Sequence, residues 1–264
     1  RSHDNKDRWT TVLDPQTAIQ DGHCTVVDHL HDPAWIGWGF NEIGWLRDQS
    51  SLWFLSEADG WSDLLVWHRD EDHEKAPPPL TVAVPTTSPN DVTLATEADP
   101  DGSETDQESE PMTIAGAVTP LVAGQFEVKS VRQHPVDDSL WFISNRGDPS
   151  TWRLERVDPK SGWAETVVGD PGMVETFAIS PDGADLLYLH STIEHPAELY
   201  VQTIEHPETR RALTHSTTPQ FDRLERHAPI LVDVPGRHGR AIRGRLHLPP
   251  AEFAESQDRG QRPA

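Results

Sequence analysis

Leu140-Trp141-Phe142-Ile143-Ser144 is the stretch whose reading decides the fold, because two variants of it recur: Leu52-Trp53-Phe54-Leu55-Ser56 upstream and Leu186-Leu187-Tyr188-Leu189-His190-Ser191 downstream. Each is a short apolar run with a large aromatic, the length of a strand and too short for an ordinary helix. Turn residues stand ahead of each copy: Gly44-Trp45-Leu46-Arg47-Asp48, His134-Pro135-Val136-Asp137-Asp138 and Ser180-Pro181-Asp182-Gly183. After each copy comes a polar loop of roughly ten residues and a second, partly alternating strand. These second strands are Leu64-Leu65-Val66-Trp67, Trp152-Arg153-Leu154-Glu155-Arg156-Val157-Asp158 and Glu198-Leu199-Tyr200-Val201. Turn, strand, loop and strand make a β-meander.

The second and third copies lie about 47 residues apart and the first and second about 88, close to twice a blade-sized period once an insertion is allowed for. That spacing fits four-stranded antiparallel blades and predicts an all-β chain, a partial β-propeller. Strands 52–56, 140–144 and 186–190 should then hold equivalent places in their blades. Pro181-Asp182-Gly183 and Asp59-Gly60 supply chain reversals, since Pro presets φ and Gly accepts positive φ. Residues 1–215 show no strong amphipathic helix that would support an α/β alternative.

Composition agrees with short strands: 10 Trp stand beside 2 Tyr and 7 Phe in a chain with 23 Pro. Acidic residues outnumber basic ones 44 to 22, for a net charge of -22. Such a balance opposes phosphate backbones and anionic lipid surfaces, so nucleic acid is not expected as a partner. Cys24 is the only cysteine, which excludes an intramolecular disulfide and a Cys-based zinc site. It is expected to be a buried or half-buried thiol. No stretch has the apolar length of a membrane span, and residues 1–20 lack a signal-peptide core. The first residue is Arg rather than Met, so the true start is expected upstream and the compartment, cytoplasmic or periplasmic, is left open.

From about Asp70 to Ala117 the pattern gives way to Pro77-Pro78-Pro79 and Ser/Thr/Asp/Glu/Pro-rich sequence. So few large apolar residues cannot offset the entropy of ordering, and 76–117 is expected to be a solvated, mobile loop in or between blades. Val82, Val84, Val92 and Leu94 leave open a hairpin arm there. Residues 216–229 read as a linker. Beyond it, Ile230–Val234 and Ala241–Leu248 alternate across a Gly-containing turn. Pro249-Pro250 stops the second strand, and the tail should fray.

Several of these stretches resemble, in the same order, the propeller of the bacterial prolyl oligopeptidase and dipeptidyl peptidase IV family of serine peptidases. They are Asp32-Pro33-Ala34-Trp35-Ile36-Gly37-Trp38, Phe40-Asn41-Glu42-Ile43-Gly44-Trp45-Leu46 and Leu52 to Trp61. Gly124-Gln125-Phe126-Glu127-Val128 is similar to the family's Gly-x-aromatic-Glu-Val strand. Ile179 to Gly183 with Pro196 to Val201 resemble its last blades, and residues 240–249 the first strands of the following α/β-hydrolase domain. The likeness covers roughly residues 8–75 and 118–250, the C-terminal part of a propeller and the start of a hydrolase domain. It implies peptide hydrolysis by a Ser-Asp-His triad in that hydrolase domain, with the propeller gating peptide substrates. No triad residue carries over, because the Gly-x-Ser-x-Gly nucleophile elbow does not occur in this sequence. The chain itself is therefore expected to be inactive and, with blade edges and the hydrolase-facing surface uncovered, prone to self-association. A stand-alone propeller that binds a protein or peptide is the alternative; the hydrolase-like strand at 240–250 argues against it.

No catalytic residue, cofactor or metal site is expected within the chain. Glu57 and Glu127 are the candidates for contact with a substrate amine, set against the plainer reading that they bond the backbone of tight turns. His29 and His31, flanked by Asp28 and Asp32, share a strand face, but a metal site needs a third convergent ligand that spacing does not show. They read as a solvent-exposed pair. Trp35, Trp38, Trp45 and Trp53 could stack on a ligand or pack blades together. Arg146-Gly147-Asp148 reads as a turn.

Overall fold

The computed structural model describes residues 2, 4–13, 15, 24–37, 39–69, 116–224, 229–239 and 241–248. It is nearly all β and divides into two units, Arg1–Gly169 and Asp170–Ala264.

The first unit opens with an antiparallel ribbon of β1 (Asp7–Val12) and β2 (Thr25–His31). A four-stranded meander follows, made of β3 (Ile43–Trp45), β4 (Ser51–Ser56), β5 (Asp63–His68) and β6 (Ala117–Val122), hydrogen-bonded in chain order. A second meander contains β7 (Val128–Gln133), β8 (Leu140–Ser144), β9 (Arg153–Val157) and β10 (Ala164–Val168). β4 is buried at every position because both faces of its sheet are covered. Trp53 and Leu55 point into a cluster with Val128, Val131, Leu140, Phe142 and Val157 of the second meander. Leu52 and Phe54 point the other way, onto Trp67 and Val27 of the ribbon. A strand covered on both sides reads as a continuous apolar run, which is why Leu-Trp-Phe-Leu lacks alternation. Fully burying each of these side chains contributes about 1.5–3 kcal/mol.

Gly44 has a packing reason. It faces Trp53 in register, and a Cβ at residue 44 would lie 2.6 Å from the indole. Only a hydrogen lets that ring lie across β3.

The second unit holds a third meander, β11 (Met173–Ile179), β12 (Asp185–Ser191), β13 (Glu198–Thr203) and β14 (His206–Ala212). The β11–β12 turn is Ser180-Pro181-Asp182-Gly183, closed by the Gly183 N–H on Ser180 O (2.8 Å) with Gly183 at φ +74°. Leu186, Tyr188 and His190 of β12 are buried in alternation. Tyr188 stacks on its register partner Tyr200, and the Arg210 guanidinium lies over Tyr200. A single turn of helix, α1 (Pro219–Asp222), capped by Thr218, precedes a hairpin of β15 (Ile230–Pro235) and β16 (Ala241–Leu246). No helix among the described residues is long and apolar enough to cross a membrane.

The all-β class and its four-stranded antiparallel units are those expected. β4, β8 and β12 each hold the second place in their sheet. Four expectations need correction. The step from β4 to β8 is one meander, not two; its extra length is the chain between His68 and Ala117, inside one sheet between its third and fourth strands. The loops after the three repeated strands, residues 57–62, 145–152 and 192–197, are six to eight residues long rather than about ten. The Gly124–Glu127 segment precedes β7, which starts at Val128. Cys24 is exposed, because it stands just ahead of β2 rather than within the sheet. The Val82 to Leu94 arm, nearly all of segment 76–117, and Pro249-Pro250 with the tail lie outside the described residues.

Candidate functional site

β4 delivers the chain at Glu57 into a tight reversal, Glu57-Ala58-Asp59-Gly60. The Gly60 N–H closes on Glu57 O at 3.0 Å, and Asp59 Oδ1 accepts the Trp61 N–H at 2.9 Å. The connection from β6 to β7 runs alongside. Glu127 Oε2 accepts the Ser62 N–H (3.1 Å), Ser62 Oγ donates to Val128 O (2.7 Å), and Asp63 Oδ1 accepts the Gly124 N–H (3.1 Å). Asn145 of the second meander fixes the Glu127 backbone, accepting its N–H at 2.7 Å. Glu57 is half-buried, and a Cβ on Gly37 would stand 3.3 Å from its Oε2, so the chain at Gly37 passes over that carboxylate.

These contacts gather Glu57, Asp59, Asp63 and Glu127 at the end of the first meander where the β4–β5 turn meets the β6–β7 link. Asp63 responds most. Burial pushes its carboxyl up to about 7, with the nearby charges of Asp59 and Glu127 adding to the shift, while the Gly124 N–H opposes it. Burial is the larger cause of that shift, and the part contributed by Asp59 and Glu127 marks a place of negative potential. A cation, such as an ammonium group, is favoured there over a further anion.

The sequence candidates Glu57 and Glu127 both fall in this group. Asp63 was not singled out; the available signal was a carboxylate at the head of an otherwise apolar strand, Asp63-Leu64-Leu65-Val66-Trp67. The tryptophans do not act together: Trp53 is in the core, Trp35 and Trp45 are exposed, and Trp38 lies outside the described residues. Gly147 has φ +82°, as the turn at Arg146-Gly147-Asp148 requires. His29 and His31 are not simply solvated: each has a ring nitrogen on Asp7 Oδ1. Asp28 instead pairs with Arg8 (3.7 Å), and Asp32 Oδ1 accepts the N–H groups of Ala34 and Trp35.

Three four-stranded antiparallel meanders in succession, the first two packed on one another through a shared core, define the class, a propeller-type β fold. A solved structure of this kind, the crystal structure of Porphyromonas gingivalis dipeptidyl peptidase 4, superposes with a TM-score of 0.56 over 90% of this chain at 10% sequence identity. The chain spans 27% of that protein's length, and at this identity the likeness is one of fold. No family model and no curated protein sequence matches the chain.

Proposed function

We propose that this chain is the non-catalytic, substrate-gating propeller portion of a serine-type oligopeptidase or dipeptidyl peptidase. The observation that carries the reading is the fold likeness to a dipeptidyl peptidase along nine-tenths of the chain, added to the ordered sequence resemblances in residues 8–75 and 118–250. In this reading residues 1–215 are propeller, 216–229 a linker, and 230–264 the start of an α/β-hydrolase domain, with a frayed tail, the triad belonging to the rest of that domain. The β15–β16 hairpin supports such a neighbour. Ile230, Val232 and Val234 face Leu246, Gly244 and Ile242 in register, so one side of the hairpin is apolar, and Ile230, Val234, Ile242 and Leu246 on it are exposed. Peptides are the substrates, and the carboxylates around the β4–β5 turn, Glu57 and Glu127 among them, are the groups suited to hold a peptide amino terminus.

Two measurements test this. The chain alone should neither turn over a chromogenic Gly-Pro substrate nor react with a serine-directed phosphonate, since an unassisted Ser hydroxyl is a weak nucleophile. Stoichiometric labelling of one Ser would overturn the non-catalytic assignment. Peptides with a free amino terminus should bind more tightly than their acetylated forms, and a Glu57→Gln, Glu127→Gln double variant should erase the difference. Equal binding of both forms would remove the assigned role of the acidic cluster.

A further inference from the structure

The β1–β2 ribbon gathers a second group of side chains that peptide gating does not use. Asp7 faces His31 in register, and Trp9 faces His29. Opposed residues of an antiparallel pair share a face, as do residues two apart on one strand, so all four side chains stand on one side of the ribbon. The contacts follow. His29 Nε2 lies 2.9 Å from Asp7 Oδ1, and His31 Nδ1 lies 2.8 Å from the same oxygen. Two imidazoles thus direct one nitrogen each at a single carboxylate oxygen, and each nitrogen must carry a proton to bond there.

The surroundings hold this arrangement in place. Trp9 lies flat on the His29 ring, with 5.1 Å between centroids and 8° between planes. Ser2 grips the Asp7 backbone twice: its Oγ accepts the Asp7 N–H at 2.9 Å, and its N–H donates to Asp7 O at 2.9 Å. Hydrogen bonds from both histidines hold the Asp7 carboxyl below the usual carboxylate range. The site is open to solvent, with side-chain exposures of 34% for His29, 55% for His31 and 24% for Asp7, so an ion can reach it.

We propose that Asp7, His29 and His31 form a binding site for a divalent transition-metal ion of the zinc type. Two imidazoles and a carboxylate are the donor set such ions take, and water completes the coordination. Asp7 is the third convergent ligand that the His29-x-His31 spacing by itself lacks, and it comes from the neighbouring strand rather than from Asp28 or Asp32. As they stand, no three such side chains among the described residues, these included, are placed to hold a metal ion, so the ion has to draw the two imidazole nitrogens toward one another as it enters from the hydrogen-bonded arrangement. The ion enters by replacing both N–H···O contacts. A neutral ring moves the proton to its other nitrogen, and a charged ring releases it to solvent. Bonds of 2.0–2.1 Å in tetrahedral geometry set ligand atoms about 3.3 Å apart. The two N···O edges, at 2.9 and 2.8 Å, therefore open by only a few tenths of an ångström. With all three ligands in place, the ion joins β1 to β2.

The test is calorimetric titration of the chelator-treated full chain with zinc chloride at pH 7.5 and 5.5. One saturable site is expected at pH 7.5 and much weaker binding at pH 5.5, where protons compete for the ligands. Binding should raise Tm. His29→Gln and His31→Gln should each abolish the saturable site, and Trp9→Leu should weaken it about tenfold by releasing the ring. A His206→Gln, His215→Gln control should bind as the parent does. A measurement on the unaltered chain guards against variants that fail to fold: zinc should protect His29 and His31, but not His206 and His215, from diethyl pyrocarbonate. Zinc binding that survives loss of both His29 and His31, or equal protection of all four histidines, would overturn the proposal.

Discussion

Asp63 heads β5 with 9% of its surface exposed, and its proton is held up to about pH 7 in the fold against an ordinary value of 3.8. Between those two values the folded chain binds a proton that the unfolded chain has released. The contribution of this group to stability is therefore complete below about pH 3.8 and is lost as the pH rises through about 7. Asp63→Asn removes the charge while keeping an oxygen for the Gly124 N–H. It should stabilise the protein at pH 8, by on the order of a few kcal/mol at most. The gain should shrink as the pH is lowered toward 4, and thermal melts across that range will show whether it does; a gain independent of pH would contradict the ionisation argument. The sequence displays the carboxylate next to the apolar run. It does not display that Glu127 is brought alongside, or that Asp7 meets His29 and His31. Those meetings depend on strand register and on how the chain returns, and no local spacing encodes either.

Two of the repeated inner strands, β4 and β8, were legible as runs buried at every position, and β12 as an apolar run buried in alternation. The outer strands were not. β6 reads Ala117-Val118-Thr119-Pro120-Leu121-Val122, and β14 reads His206-Pro207-Glu208-Thr209-Arg210-Arg211-Ala212. Each lies at the edge of its sheet, where a residue without an N–H is tolerated and charge discourages pairing with another molecule. β14 carries little hydrophobic signal, and in β6 Pro120 interrupts an apolar run whose Leu121 and Val122 reach the core. The same asymmetry governs the response to mutation. Phe142 of β8 is fully buried in the cluster joining the two meanders, so Phe142→Ala should cost about 3–5 kcal/mol. Trp163 is larger but exposed on the β9–β10 turn, and Trp163→Ala should change stability by less than about 0.5 kcal/mol. Urea denaturation of both variants tests the pair. Similar losses would mean that burial is misassigned.

Over the whole molecule, a net charge of -22 opposes compaction. Exposed pairs such as Lys160 with Asp138 contribute little against it. Raising sodium chloride from 10 to 150 mM shortens the screening length severalfold, and Tm should rise. A fall would show that local ion pairs outweigh the general repulsion. The likeness to a dipeptidyl peptidase fold was foreshadowed by the order of the motifs, and the span of the long interruption by composition, whereas its position between the third and fourth strands of one sheet was left open. β5 ends at His68 and its partner β6 begins at Ala117, so the outermost strand of that sheet is supplied from far along the chain. Three strands are joined through short turns, while the fourth returns from a distance, a non-local pairing of the kind that slows folding. Treated as one closed loop, that excursion costs only about 0.6 kcal/mol more for each doubling of its length. Evolution could lengthen or trim the chain here almost without cost to equilibrium stability. The effect would fall on the folding rate, and on how long the edge of β5 waits uncovered.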